Sequence, residues 1–158
     1  MFVVPLSKAL EVCRRPHRLP CHEDLMEEEA LVEWEPGMGP TLFFSHTWLG
    51  NSHPDPTGVK QELMVSILEQ LLDGTFCAVT HWVSTVLFGD VSVSGKQTAA
   101  LAAGGFVWLD FWSIPQRNRE TQAKAISSIT TYVADTELFI VLAGPWSHEN
   151  SAEETEVP

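Results

Sequence analysis

Cations are scarce in this chain: 9 Lys and Arg stand against 21 Asp and Glu, giving a formal net charge of −12. Phosphate backbones are gripped by clustered Lys and Arg, so a nonspecific nucleic-acid binder is excluded. The acidic surface suits a cytoplasmic protein, or one that meets basic partners. Cysteine is scarce too. Cys13, Cys21 and Cys77 cannot all pair within the chain and form no dense framework, which predicts reduced thiols. No apolar run is long enough for a membrane. The longest uncharged stretch, Phe76 to Gly89, contains His81 and falls short of the roughly 20 residues a spanning helix needs, so it reads as a buried helix. Met1-Phe2-Val3-Val4-Pro5 lacks the basic region and apolar length of a signal peptide. Internal repeats and low-complexity tracts are also missing. What remains is a globular composition, 44% hydrophobic and 19% charged, in 158 residues, enough for one domain with its own core.

Residues 1–40 read as a peripheral N-terminal segment. Leu6 to Val12 suggests a short helix that Pro16 and Pro20 interrupt. Glu23, Asp24, Glu27, Glu28 and Glu29 alternate with Leu25, Met26, Ala30, Leu31 and Val32 at helical spacing, which predicts one helix with a solvated acidic face. After the breaks at Pro36, Gly37, Gly39 and Pro40, Thr41-Leu42-Phe43-Phe44-Ser45-His46 reads as the first core strand. Asp55 and Pro56 are placed as N-cap and first residue of a helix whose apolar face is Val59, Leu63, Met64, Ile67, Leu68, Leu71 and Leu72. Lys60, Glu62, Glu69 and Gln70 fall on its other face, and Gly74 closes it. Residues 75–103 are ambiguous between helix and strand.

The stretch that organises the chain is Gly104-Gly105-Phe106-Val107-Trp108-Leu109-Asp110-Phe111-Trp112-Ser113-Ile114-Pro115-Gln116. A run of large apolar residues reaches one carboxylate and stops at proline, the pattern of a strand buried on both faces. That places Asp110 near the strand's carboxyl end, with Trp112 to Gln116 in the loop beyond. An amphipathic helix through Ala123, Ile126, Ile129, Thr130 and Val133 and a buried strand from Leu138 to Ala143 follow. Strand, helix, strand, helix, strand predicts parallel pairing through right-handed crossovers, hence a three-layer α/β fold over residues 41–146. Residues 147–158 read as a disordered acidic tail.

In such a sheet Ser45, His46, Asp110 and Trp112 converge on the edge where ligands bind. A histidine held by a carboxylate suits general-base work, although both residues also suit plain capping of loop backbone. Trp48, Trp112 and Trp146 fall at strand ends and are candidates to rim one cleft, or simply to cover the sheet's edge, while Trp82 and Trp108 read as packing. Cys13, His17, Cys21 and His22 are metal-ligand types, but two prolines and an irregular spacing predict no metal. Gly95-Lys96-Gln97-Thr98 lacks the upstream glycine of a phosphate loop and is rejected. No nucleophile elbow accompanies His46 and Asp110, so a serine hydrolase is not expected.

Val107-Trp108-Leu109-Asp110-Phe111-Trp112-Ser113-Ile114-Pro115-Gln116 resembles the strand-and-loop motif of heterokaryon-incompatibility domains. Phe43-Phe44-Ser45-His46-Thr47-Trp48, with His53-Pro54-Asp55-Pro56 after it, is similar to the opening strand of Toll/interleukin-1 receptor (TIR) domains, and the chain most resembles the TIR-like proteins of dinoflagellates and other protists. The resemblance covers about residues 41–146 and implies a flavodoxin-like layout. It implies a signalling or scaffold role through protein–protein contact or self-association, and a nucleotide-sized cleft at Ser45, His46, Trp48, Asp110, Trp112 and Gln116. It also implies an alternative, cleavage of NAD, for which some TIR domains use a glutamate on a helix after the third strand, near a Trp-Cys-Arg-x-Glu-like run. This chain lacks that run after Trp146 and reads as a truncated or degenerate member. Glu149 and Glu153 are the acidic candidates that remain.

Overall fold

The computed structural model describes residues 1–16, 18–78, 93 and 95–152. Its strands are β1 (Phe2–Pro5), β2 (Val32–Glu33), β3 (Thr41–His46), β4 (Phe106–Leu109) and β5 (Leu138–Leu142). Its helices are α1 (Leu6–Cys13), α2 (His22–Glu27), α3 (Val59–Asp73), α4 (Gly95–Gly104), α5 (Asp110–Ser113), α6 (Arg119–Ser127) and α7 (Ile129–Ala134), followed by a 3-10 turn at Glu149–Ala152. The strands form one mixed sheet in the order β2-β1-β4-β3-β5. β3 is parallel to both its neighbours, with Phe44 opposite Leu109 on one side and Ile140 on the other. The two segments that carry the family resemblance therefore lie side by side and point the same way.

The period of two along each strand sorts the core into two layers. Val4, Leu42, Phe44, Val107, Leu109 and Leu142 face one side, where α1, α3 and α4 supply Ala9, Leu10, Val12, Met64, Leu68, Leu71 and Leu101. Val3, Phe43 and Trp108 face the other, where Trp34 and Ile114 complete the cluster and Ala125, Ile129 and Tyr132 of α6 and α7 pack against it. Phe43 lies flat between Trp108 and Phe139, with ring centroids 4.0 and 5.0 Å away.

Several expectations are corrected. Residues 1–40 are not peripheral: β1 pairs antiparallel with both β2 and β4, extending the parallel sheet into a mixed one, and α1 buries Leu6, Ala9, Leu10, Val12 and Cys13. The acidic segment is not one helix to Val32. α2 stops at Glu27, Glu29 takes a left-handed φ of 53°, and β2 begins at Val32. Its acidic face is not simply solvated either, because Glu23 accepts the backbone N–H groups of Gln116 and Arg117 at 2.8 and 2.7 Å. The helix after the first strand starts at Val59 behind Gly58, whose φ is 80°, rather than at Pro56. The chain beyond Asp110 coils into one helical turn, α5, rather than an open loop, and the helix that follows is divided into α6 and α7 at Ser128. β5 is an edge strand whose Phe139 and Val141 are 46% and 60% exposed, so it is not buried throughout. The tail does not fray at once: Glu149 N–H donates to the Leu49 carbonyl at 2.8 Å, Asn51 N–H donates to the Glu149 carboxylate at 2.7 Å, and Asn51 Nδ2 donates to Asn150. Glu153, His17 and most of the Phe76–Gly89 run, with Trp82, lie outside the described residues.

The glycine pair before β4 has one position that admits no side chain. A Cβ on Gly105 would lie 2.6 Å from the Leu101 carbonyl oxygen and 2.8 Å from its Cα, while Gly104 faces open space. Gly105 thus allows α4 to turn directly into the central strand, which aims Leu109 and Asp110 at the carboxyl edge.

Candidate functional site at the carboxyl edge

Three chain segments meet at the carboxyl ends of β3 and β4. β3 ends at His46, β4 hands over to α5 at Asp110, and the first turn of α3 brings in Lys60. His46 Nε2 donates to Asp110 Oδ1 at 2.8 Å, and Trp48 Nε1 donates to Asp110 Oδ2 at 2.8 Å. The Phe111 N–H also donates to Oδ1, at 2.6 Å. On the far side of the ring, Lys60 Nζ lies 3.3 Å from His46 Nδ1 and donates to the Thr47 carbonyl. The resulting chain runs carboxylate, imidazole, ammonium.

The electrostatics follow from burial and pairing. Burial alone pushes the Asp110 carboxyl up, but the hydrogen bond and attraction of His46, with the N–H groups of Trp48 and Phe111, hold it below the usual carboxylate range. Lys60 is only 1% exposed. Burial pulls its ammonium down from the ordinary lysine value, against the upward pull of Asp55 and Asp110. Asp55, also buried, accepts the N–H groups of Lys60 and Gln61 on one carboxylate oxygen, so it caps α3 from three residues ahead of the cap position. His53 braces the same loop, accepting the Asp55 N–H and donating to the Leu19 carbonyl.

This arrangement restricts what His46 can do. With Nε2 committed to Asp110 and Nδ1 facing the Lys60 ammonium, and with its side chain 3% exposed, it offers no free lone pair to a substrate proton. Asp110 is the polar member that still meets solvent, its side chain 27% exposed. Beside it lies a slot of about 200 Å³ with Ser45, His46 and Asp110 at its polar end and Phe43, Trp108, Phe139, Ile129 and Val133 around its apolar part. The slot lies below the roughly 300–1,000 Å³ of pockets that enclose a drug-sized ligand. The nucleotide-sized cleft expected here is therefore reduced to room for about one ring.

The other expected members scatter. Trp48 reaches the cluster only through its indole N–H. Trp112 is fully buried in the core under the helices, and its carbonyl accepts from His22 Nδ1 at 2.8 Å. Gln116 is tied to Ile114 and Glu23 and does not line the slot. Trp146 and Glu149 border a different hollow of about 250 Å³ with Leu49, Pro56, Thr57 and Val59. The aromatic-rimmed single cleft is thus corrected to two separate hollows. Among the described residues no group of His, Cys, Asp or Glu has the arrangement of a metal site, and His22 is occupied by the Trp112 carbonyl. A larger hollow of about 700 Å³ lies between the end of α1 and the start of α3, but two of its arginines are already neutralised, Arg14 by Glu69 and Arg15 by Glu28.

Sequence reasoning missed Lys60, assigning it to the face of α3 opposite the apolar one. The available signal was its place in the first turn, directly after the Asp55 loop and level with the end of β3. Among the described residues no helix is long and apolar enough to cross a membrane. No protein-family model matches the chain, and neither a curated protein nor a solved structure shows significant similarity to it.

Proposed function

We propose that this chain is a TIR-like, heterokaryon-incompatibility-like signalling or scaffold domain that acts in the cytoplasm by binding other protein domains, on a flavodoxin-like layout. The strand order supports that layout: the first parallel strand, β3, lies between the second, β4, and the third, β5, which is the arrangement that opens a crevice at the carboxyl edge. One observation carries the choice of binding over catalysis. The Asp110–His46–Lys60 chain joins the ends of β3 and β4 to the start of α3 and occupies both ring nitrogens of His46, so that the histidine is not offered to a substrate as a base. It rigidifies an edge and presents Asp110 and the ring-sized slot as surface features.

NAD cleavage is the second reading, favoured by Glu149. Its carboxylate is fixed by the Asn51 N–H at 2.7 Å and it borders the same hollow as the Trp146 ring, which lies 6.0 Å from Lys60 Nζ. A carboxylate held in place beside an aromatic ring is one of the groups that glycosidic cleavage can use. Incubating the purified chain with NAD and measuring released nicotinamide separates the two. A binding domain releases none. Turnover that Glu149→Gln or Glu153→Gln abolishes would overturn the preference for binding.

A further inference from the structure

The two edges of the sheet are guarded differently. β2 is two residues long and carries Glu33, with Pro36 close behind, the usual means by which natural proteins blunt an open edge. β5, Leu138-Phe139-Ile140-Val141-Leu142, has no charge and no proline, and among the described residues no strand pairs with its outer side. Phe139 and Val141 project to the same face and are 46% and 60% exposed. An uncharged strand whose outer ladder meets no other strand among the described residues is a template for another strand.

Resting on the interaction-domain function proposed above, we infer that a second copy of this chain pairs with β5, antiparallel and centred on Ile140, to make one sheet continuous across both copies. Antiparallel self-pairing is isologous and closes with two-fold symmetry. It sets Phe139 of each copy opposite Val141 of the other, an aromatic and β-branched pair made twice, and Leu138 opposite Leu142. Charge selects the direction. Asp135 and Glu137 precede β5, and Ala143, Gly144 and Pro145 follow it. Antiparallel pairing places Glu137 against Ala143 and Asp135 against Pro145, whereas parallel pairing would stack Glu137 on Glu137. Phe139 and Val133 border the slot, so the second copy's Val141 arrives beside its apolar end.

Sedimentation velocity on the full chain, across concentration at low and high salt, tests this. The unaltered chain dimerises, and does so more tightly at high salt, which screens the repulsion between copies that each carry a net charge of −12. Val141→Lys, at an exposed position, leaves the circular dichroism spectrum unchanged and weakens the dimer about tenfold or more. Register is read by disulfide trapping in a Cys21→Ser, Cys77→Ser background: mixed Phe139→Cys and Val141→Cys chains cross-link, and either chain alone does so poorly. A monomer at every concentration and salt, or a dimer indifferent to Val141→Lys, overturns the inference. A monomer that also releases no nicotinamide removes this surface while leaving the interaction-domain function in place, so the two failures are distinct.

Discussion

Replacing Asp110 with asparagine changes the charge at the carboxyl edge and almost nothing of its shape. In the native chain Oδ1 accepts from His46 Nε2 at 2.8 Å and from the Phe111 N–H at 2.6 Å, while Oδ2 accepts from Trp48 Nε1 at 2.8 Å. An amide has one acceptor oxygen, so its NH2 must face either the indole or the imidazole N–H, donor against donor. Hydrogen bonds to a charged group contribute about 1.5–3 kcal/mol, and a stranded buried donor costs about 1–3 kcal/mol. Asp110→Asn therefore destabilises by about 2–3 kcal/mol, and Asp110→Ala, which strands the buried His46 as well, by about 3–5 kcal/mol. The pH dependence fixes the cause. Because the folded carboxyl titrates below its unfolded value of about 3.9, its contribution is complete above that value and is lost as pH falls through the folded one. Urea unfolding followed by circular dichroism at a series of pH values measures the gap between the two chains. An unchanged urea midpoint for Asp110→Asn at neutral pH, or a gap that persists undiminished in acid, would refute the account of the cluster.

Much of the central architecture was legible because it depends on local chemistry. The apolar runs at Thr41–His46 and Phe106–Leu109 contain too many large side chains for an exposed segment, and the helical connection between them, α3 and α4, lets them pair in parallel. Gly74 closes α3 with the expected left-handed φ of 76°. The N-terminal strands were not legible. Phe2–Pro5 is four residues long and ends in proline, a weak strand signal, and its pairing partners are remote: β2 about thirty residues on and β4 more than a hundred residues away in the chain. Lys60 was misplaced for a related reason. Helical periodicity sorts residues by polarity, and a lysine is read as solvated unless its partners are known; here they are the Thr47 carbonyl and His46, supplied by another element. Trp112 fails in the opposite sense, since its position past the strand suggested a rim, while the helical turn of α5 rotates it into the core.

Two further perturbations separate the local from the tertiary causes. At the α4–β4 junction, Gly105→Ala destabilises by about 1–3 kcal/mol because the added Cβ meets the backbone of Leu101, whereas Gly104→Ala is neutral or up to about 1 kcal/mol stabilising; equal effects in thermal unfolding would contradict the crowding at Gly105. Lys60→Met tests the buried ammonium. The variant removes a charge held out of water but leaves the Thr47 carbonyl and His46 Nδ1 without a donor, so its net effect at neutral pH combines opposing costs of similar size. Its pH trend does not share that ambiguity. With the folded value of Lys60 below the ordinary value of about 10.4, the unfolded chain binds more protons over the interval between them, and stability rises with pH there. The native chain therefore gains on Lys60→Met as pH climbs from the lowered folded value towards the ordinary one of about 10.4, because a buried amine that has lost its proton no longer bears the cost of desolvation. Urea midpoints of both chains across that range measure the trend. A difference that stays flat or moves against the native chain would mean that Lys60 keeps its charge hydrated, and the carboxylate–imidazole–ammonium chain would then be open to solvent rather than closed.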